Sequence, residues 1–214
     1  MGPKAFLEMI IRHTKMSERK LQSMNYPELL RYVWGANVSP LAVANSIKHD
    51  AYFTHGSAMW IHGIGSAADE IYINSEQSKK PTRPVVLTQG AIDRAFRNRQ
   101  RTSKLIYRFN NATITVLSGK NSGRLEVKSA NAPSGERVDV TSLERTLIDI
   151  TVRPAYAGGI AQVLKAFQAA RERVSIQKLL GVLKHLDHAY PFHQAIGFFM
   201  KKMLPKKLSK KLRQ

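Results

Sequence analysis

The chain of 214 residues contains no cysteine, no long apolar run and few acidic residues. Without cysteine it can form neither a disulfide framework nor a thiolate zinc site, which suits a reducing compartment, so we expect a cytoplasmic protein. Its apolar runs are far shorter than the roughly 18 residues that a transmembrane helix needs, and its first residues lack the apolar core of a signal peptide. The sequence therefore indicates neither secretion nor a membrane span.

The shortage of acidic residues leaves a large positive charge. The chain has 34 Lys and Arg against 15 Asp and Glu, a formal net charge of +19, and its isoelectric point is near 10.4. Such an excess favours a polyanionic partner, because each cation placed against a phosphate releases condensed counterions. For a single basic run, a solvated face that keeps the protein in solution is the alternative interpretation.

The positive charge is concentrated in two runs. No acidic residue lies between positions 94 and 108, and lysines dominate the chain after position 200. Two such runs on one basic chain favour nucleic-acid binding over simple solvation. The candidate nucleic-acid-binding residues are Arg94, Arg97, Arg99, Arg101, Lys104, Arg108, Lys201, Lys202, Lys206 and Lys207.

The basic tail, residues 204–214, leaves two interpretations open. Leu204, Leu208 and Leu212 recur every four residues with lysines between them, a pattern typical of a basic amphipathic helix on an acidic surface. Pro205 weakens the start of such a helix. A disordered lysine-rich tail explains the composition equally well.

Short helices are predicted for the first fifty residues. The apolar residues near Phe6 share one helical face, Ser17 is a plausible cap for a second helix, and Pro27 suits the first turn of a third. Ser39 followed by Pro40 predicts the start of a fourth.

Strands are predicted in the middle of the chain and helices after it. Asn110-Asn111 indicates a hairpin turn, 91–97 a short helix or turn, and Ser175 and Pro191 mark the starts of two late helices. This pattern predicts an α+β fold with a central mixed or antiparallel sheet and C-terminal helices. The predicted strands, rich in β-branched and aromatic residues, are 70–73, 84–88, 105–109, 112–117 and 137–140.

The segment 140–159 has the most detailed pattern of the chain. Thr141 and Glu144 have the spacing of a capping box, so we predict that Thr141 caps a helix. Arg145 and Asp149 lie four residues apart, the spacing of an ion pair on one helical face. A cap and an ion pair account for these residues without catalysis. Pro154 ends that helix, and Gly158-Gly159 permits a sharp turn into the next.

Three further patterns resemble catalytic, metal or base-stacking sites, but a structural role explains each of them better. Gly56-Ser57 followed by Asp69 approaches the spacing of a minimal nucleotidyltransferase, but the second carboxylate of such a magnesium site would fall at Ile71. The seven histidines lack cysteine or carboxylate partners at ligand spacing, so we predict no metal and no cofactor. Trp34 and Trp60 are interpreted as core residues rather than base-stacking platforms.

Three segments together resemble the AbiEi family, antitoxins and transcriptional regulators of bacterial type IV toxin-antitoxin (abortive-infection) systems. In chain order they are YFTHGSAMWIHGI at 52–64, LERTLID at 143–149 with RP at 153–154 and GG at 158–159, and AIGFFM at 195–200. Each is weak alone, and their order carries the resemblance. The resemblance covers residues 51–203 and implies that they form an α+β domain. It also implies a helical N-terminal region, residues 1–50, and family members commonly carry a winged helix there.

The resemblance also implies a function. It implies a non-enzymatic antitoxin that neutralises or regulates a nucleotidyltransferase-type toxin and represses its own operon by binding operator DNA. The toxin would then perform the transfer chemistry, so no catalytic residue is expected in this chain. On the residues alone, a general basic nucleic-acid-binding protein is the alternative, and a nucleotidyltransferase-like enzyme is a weaker one.

Overall fold

The computed structural model describes residues 2–66, 69–79, 87–98 and 100–203. Within them the chain forms eight α-helices, a six-stranded mixed sheet and a separate two-stranded sheet, which confirms the predicted α+β class. In the described part of the chain, every helix is too short or too polar to cross a membrane.

The helices are α1 (Pro3–His13), α2 (Pro40–Asn45), α3 (His55–Ile61), α4 (Gln89–Arg97), α5 (Leu143–Val152), α6 (Ile160–Ala170), α7 (Ile176–Leu186) and α8 (Phe192–Met203). The strands are β1 (Met16–Leu21), β2 (Leu29–Trp34), β3 (Tyr52–Phe53), β4 (Glu70–Glu76), β5 (Ile106–Phe109), β6 (Ala112–Gly119), β7 (Val127–Asn131) and β8 (Arg137–Thr141). A 3-10 helix, Pro154–Ala157, connects α5 to α6.

The large sheet has the strand order β5-β6-β4-β3-β8-β7. Strands β4 and β6 are parallel, with a register that runs from Glu70 beside Thr113 to Glu76 beside Gly119. Strands β3 and β8 are also parallel, while the other neighbours are antiparallel. Because β4 and β6 run the same way, their carboxyl ends meet at one edge of the sheet, where a polar cavity lies.

The two faces of the sheet bury different partners, as the alternation of side chains along a strand requires. On β4, Ile71 and Ile73 join a core with Leu21 of β1 and Val43 of α2. Tyr72 points to the opposite face, where it packs with Leu117 and Tyr156. A further core joins α5 to α6, α7 and α8.

The N-terminal region contains two of the four helices that the sequence predicts. Helices α1 and α2 form as predicted, and the Ser39 hydroxyl accepts a hydrogen bond from the Ala42 N–H at 3.1 Å. The predictions of helices capped by Ser17 and begun near Pro27 are wrong, because those segments pair as the antiparallel strands β1 and β2. Pairing between segments outweighed the local helix signals.

Trp34 ends the exposed face of β2 instead of joining a core. Leu30, Tyr32 and Trp34 alternate with half-buried residues along the strand, and Trp34 is 64% exposed. The core interpretation of Trp34 is therefore wrong, whereas Trp60 is partly buried against the core.

In the middle of the chain, β4, β5, β6 and β8 confirm four predicted strands, and α4 confirms the short helix. The Asn110-Asn111 turn is confirmed, with Asn110 at a φ of 52°. Of the predicted strand 84–88, residues 84–86 lie outside the described residues, and Thr88 instead caps α4. Strand β7 was not predicted from its sequence, Val127–Asn131, which has one β-branched residue.

The capping box predicted at Thr141 is wrong by one residue. Thr141 still pairs with Val127 as the last residue of β8, so the N-cap falls on Ser142, whose hydroxyl accepts the Arg145 N–H at 3.4 Å. The Glu144 carboxylate turns instead to α7, where it accepts the Ser175 N–H at 3.1 Å. The glycine turn after Pro154 is confirmed, with positive φ at residues 158 and 159.

Candidate nucleic-acid surface and polar cavity

The predicted basic run lies on the surface. Arg94 and Arg97 belong to α4, Arg101 and Lys104 to the extended segment after it, and Arg108 to β5; all five are exposed. No carboxylate of the described residues lies within 4.0 Å of any of them. Arg99 lies outside the described residues. We call the five exposed residues, Arg94, Arg97, Arg101, Lys104 and Arg108, the basic strip.

Hydrogen bonds to backbone carbonyl oxygens at three points attach the basic strip to the rest of the protein. The Gln100 side-chain amide donates to the Val152 carbonyl oxygen at 2.9 Å, and the Asn25 side-chain amide donates to the Lys104 carbonyl oxygen at 3.2 Å. Arg108 N–H donates to the Gln22 carbonyl oxygen at 2.8 Å. The strip therefore runs from the end of α5 to the turn between β1 and β2.

Aromatic packing holds α4 against the start of α8. The ring centroid of Phe96 lies 6.0 Å from that of Tyr190 and 5.7 Å from that of Phe192. The Thr88 hydroxyl accepts the Ala91 N–H at 3.3 Å and caps the helix. Together these contacts fix the helix that carries Arg94.

Arg153 extends the strip and was missed by sequence reasoning, which assigned it only to the family motif. Its Nη1 donates to the Arg101 carbonyl oxygen at 3.3 Å, and its guanidinium lies 6.0 Å from the Tyr156 ring centroid. No local pattern places residues 101 and 153 side by side, because they are 52 positions apart.

The second basic run begins at the far end of α8. Lys201 and Lys202 are exposed in its last turn, and Lys202 Nζ lies 5.7 Å from the Phe198 ring centroid. Lys206 and Lys207 lie outside the described residues. At 1.5 Å per residue, Lys201 lies roughly 14 Å along the helix from Phe192, so the structure does not bring the two runs together at α4.

A cavity of about 590 Å³ opens at the carboxyl ends of β4 and β6. Buried side chains of Tyr52, Thr54, His55, Arg145 and Asp149 form its floor. We call it the polar cavity. The rest of its lining is Asn74, Gln77, Ser78, Lys79, Ser118, Gly119, Lys120, Asn121, Ser122, Val152, Arg153, Leu186, Asp187 and His188.

A chain of hydrogen bonds crosses the floor. Arg145 Nε donates to Asp149 Oδ1 at 2.9 Å, and the Thr54 hydroxyl donates to Asp149 Oδ2 at 3.2 Å. This confirms the predicted ion pair between Arg145 and Asp149 and shows that it is buried. Burial lowers the Arg145 pKa, but the charge and hydrogen bond of Asp149 together with Tyr52 and Glu76 outweigh burial and raise this pKa above its ordinary value.

His55 is neutral at the end of this chain. Its Nδ1 lies 3.0 Å from the Thr54 hydroxyl oxygen, whose only proton goes to Asp149, so Nδ1 carries the proton and Nε2 is left as an acceptor. Burial lowers the His55 pKa from 6.5 to about 4, against the opposing effect of Asp149. The floor therefore holds one ion pair and a neutral imidazole near pH 7.

A second network supports the wall of the polar cavity. The Asn74 amide donates to the Tyr52 hydroxyl oxygen at 2.8 Å, and that hydroxyl donates to Glu76 Oε1 at 3.0 Å. The Ser122 N–H and hydroxyl also donate to Glu76. Burial raises the Glu76 pKa, but these hydrogen bonds outweigh it and hold the pKa below its ordinary value.

The residues that approach the spacing of a nucleotidyltransferase site lie in a backbone-supporting hydrogen bond, at the surface and in the core. The Ser57 hydroxyl accepts the Tyr72 N–H at 2.8 Å, and Asp69 and Glu70 are exposed. Ile71, at the position of the second carboxylate, is buried in the core beneath the sheet. Among the described residues, no three His, Asp or Glu side chains lie close enough to share a metal ion.

A scan against protein-family models and a search of curated proteins each found no match to this chain.

Proposed function

We propose that this chain is a non-enzymatic, cytoplasmic antitoxin and DNA-binding regulator of the type that its AbiEi-like segments suggest. It would bind the DNA upstream of its own gene through the basic strip and would restrain a nucleotidyltransferase-type toxin. The exposure of the basic strip without acidic partners among the described residues is the observation that carries the DNA-binding proposal.

The grouping of exposed cations in the basic strip supports this proposal. Arg124 pairs with Asp139, Arg145 with Asp149, and Lys178 with two glutamates. Only these three and two other described cations, Lys128 and Arg171, have a carboxylate within 4.0 Å, so the strip is distinguished by the grouping of its five exposed cations. Cations without internal partners can contact phosphates, which position a protein on nucleic acid without reading its sequence.

The exposed face of β2 adds a second, independent argument. Tyr32 and Trp34 share this face with Glu18 and Lys20 of the paired strand β1, and the register places Glu18 opposite Tyr32 and Lys20 opposite Leu30. Exposed aromatic rings can stack on nucleic-acid bases. The basic strip reaches this small sheet through the contact between Asn25 and Lys104.

A salt-dependence measurement tests the proposal. DNA from the chain's own upstream region is titrated by fluorescence anisotropy between about 50 and 200 mM salt. We expect steep weakening with salt for the natural protein, and a slope smaller by about 2 for the double variant Arg97→Gln/Arg101→Gln, which loses two phosphate contacts. The matched control is Lys165→Gln/Lys184→Gln, which removes two exposed cations from α6 and α7.

Equal slopes for the two double variants would show that only overall charge matters and would contradict the assignment to the basic strip. Equal affinity for unrelated duplex DNA would indicate a general nucleic-acid-binding protein rather than a regulator of one operator.

The antitoxin role has its own test. If a nucleotidyltransferase gene adjoins this one, co-expression should restore growth of cells that produce that toxin. We expect rescue to survive Arg97→Gln/Arg101→Gln if neutralisation does not need DNA. Failure of the natural chain to rescue growth while the soluble protein accumulates would refute the antitoxin proposal and leave DNA binding to be judged separately.

A further inference from the structure

The polar cavity has the properties of a ligand site that neither nucleic-acid binding nor toxin restraint explains. Its volume, about 590 Å³, lies within the range of small-molecule sites in proteins. It also opens at the carboxyl ends of parallel strands, the edge of a sheet where ligands bind in α/β proteins. These two facts concern shape and position, and the chemistry of the lining specifies the ligand.

Charge is the first indicator of that ligand. The cavity is lined by four cations, Lys79, Lys120, Arg145 and Arg153, and by two carboxylates, Asp149 and Asp187, a formal excess of two positive charges. An open cleft with this excess favours an anion of charge near −2, because cations that line one cleft concentrate anions there and the buried Arg145 at its floor is shielded from bulk water.

The Lys120 ammonium can donate one further hydrogen bond to a ligand. Its ammonium donates to the carbonyl oxygens of Leu186 at 3.1 Å and Asp187 at 2.8 Å. An ammonium has three N–H donors, so among the described residues one of them has no partner. The two carbonyls hold the ammonium at the cavity wall, where a ligand oxygen could accept that third hydrogen.

The buried ion pair is the second indicator. Burying Arg145 with Asp149 is at best weakly stabilising, because desolvation offsets most of the attraction between the charges. Fixed charges and a neutral histidine at the base of a cleft are typical of binding sites. His188 on the same wall buries Nε2 without a hydrogen-bond partner in the described part of the chain.

We propose that the polar cavity binds a small phosphate monoester. A phosphate monoester carries about −1.5 to −2 charges at neutral pH, which matches the excess of the lining, and its oxygens accept hydrogen bonds from ammonium, guanidinium and hydroxyl groups. The Asn and Gln side chains of the lining are available to the organic part of the ligand. The chain would therefore respond to a metabolite as well as to macromolecules.

Calorimetric titration of the full chain, without DNA, tests this proposal. The probes are inorganic phosphate, ribose 5-phosphate and AMP, with adenosine as the probe that lacks phosphate. We expect saturable binding below about 1 mM for at least one phosphate probe and none for adenosine. Tighter binding of AMP than of ribose 5-phosphate would assign the remaining volume to a nucleobase, and the reverse order would assign it to a sugar.

Charge-matched variants separate the cavity from the overall charge of the protein. Lys79→Gln/Lys120→Gln removes two cavity cations, and Lys4→Gln/Lys165→Gln removes two exposed cations of α1 and α6. We expect about tenfold weaker binding for the first variant and unchanged binding for the second. Lys79→Gln alone, at the exposed rim, serves if loss of the Lys120 contacts impairs folding.

Three outcomes would overturn the proposal: no phosphate probe saturates, the cavity variant binds as the natural protein does, or both double variants weaken binding equally. The DNA titration does not involve these probes, so failure here leaves the proposed regulator function intact.

Discussion

Arg145 and Asp149 form an ion pair of 2.9 Å across one turn of α5, with side chains only 8% and 11% exposed. The Thr54 hydroxyl binds the second oxygen of Asp149, while Arg145 Nη1 donates to the Leu125 carbonyl oxygen at 3.1 Å. This pair therefore connects α5 to Thr54, which lies between β3 and α3, and to the segment before β7, and it forms the charged floor of the polar cavity.

Asp149→Ala should destabilise the protein strongly, because it leaves the Arg145 guanidinium buried without a counter-charge. We expect a loss of about 3–5 kcal/mol in the free energy of unfolding, measured in urea at pH 7. Asp139→Ala is the matched control, since it breaks the more exposed pair with Arg124 and should cost about 1 kcal/mol or less. Similar losses for the two variants would mean that Arg145 regains solvent.

His55 should make stability fall as the pH is lowered from 7 to 5. Its pKa is about 4 in the folded protein and 6.5 in the unfolded chain, so the unfolded state takes up the proton first and is favoured as pH falls through 6.5. For this group alone we expect a loss of about 2 kcal/mol at pH 5.

Urea unfolding of the natural protein and of His55→Gln at pH 7 and pH 5 measures this contribution. The variant should lose less stability between the two pH values by about 2 kcal/mol. Burial also lowers the pKa of His62 and His188, but both remain in the variant. An identical loss in both proteins would show that His55 does not stay neutral on folding.

Gly119→Ala should disturb the wall of the polar cavity. A Cβ at Gly119 would lie 2.7 Å from Asn74 Oδ1, and the Asn74 amide is held by the Tyr52 hydroxyl and by the Gly119 N–H. We expect a loss of about 1–3 kcal/mol in the free energy of unfolding, from steric strain and a weakened network.

Gly197→Ala is the control for this substitution. Gly197 lies within α8, and its added Cβ would meet no heavy atom of the described residues within 4 Å. We expect a gain of about 0.5–1 kcal/mol, because alanine favours a helix over glycine. Thermal unfolding compares the two variants, and a stable Gly119→Ala protein would contradict the tight contact.

Glu144→Ala should loosen α7 from α5. The carboxylate accepts the Ser175 N–H at the start of α7 and pairs with Lys178 at 3.0 Å. We expect a loss of about 2 kcal/mol, typical of charge-assisted hydrogen bonds at a buried group. The control Glu172→Ala removes a side chain that is 79% exposed and should change stability by no more than about 0.5 kcal/mol in urea unfolding.

Local periodicity was sufficient to predict the late helices and most strands of the large sheet. Helix α6 repeats its apolar residues at helical spacing, and β6 has the β-branched composition of a strand. These signals succeed because each element buries one face against a hydrophobic core. The ion pair of Arg145 with Asp149 was also predictable, because both residues lie on one helix at a spacing of four.

The errors occurred where a partner distant in sequence decides the structure. Ser17 and Pro27 resemble helix starts locally, yet β1 and β2 gain more from pairing with each other. Thr141 resembles a cap, but its pairing with Val127 extends β8 and moves the cap to Ser142. The exposure of Trp34 also follows from which face of this small sheet packs inward.

By itself the sequence determined the α+β class, the excess of positive charge and the placement of that charge in runs. Composition and short-range spacing carry this information because they act within one turn or one strand. The tertiary structure alone decided that Arg153 lies beside Arg101 and that Thr54, Lys120 and Asp149 surround one cavity. The parallel pairing of β4 with β6 and the packing of α5 bring these distant residues together, and no local pattern encodes such contacts.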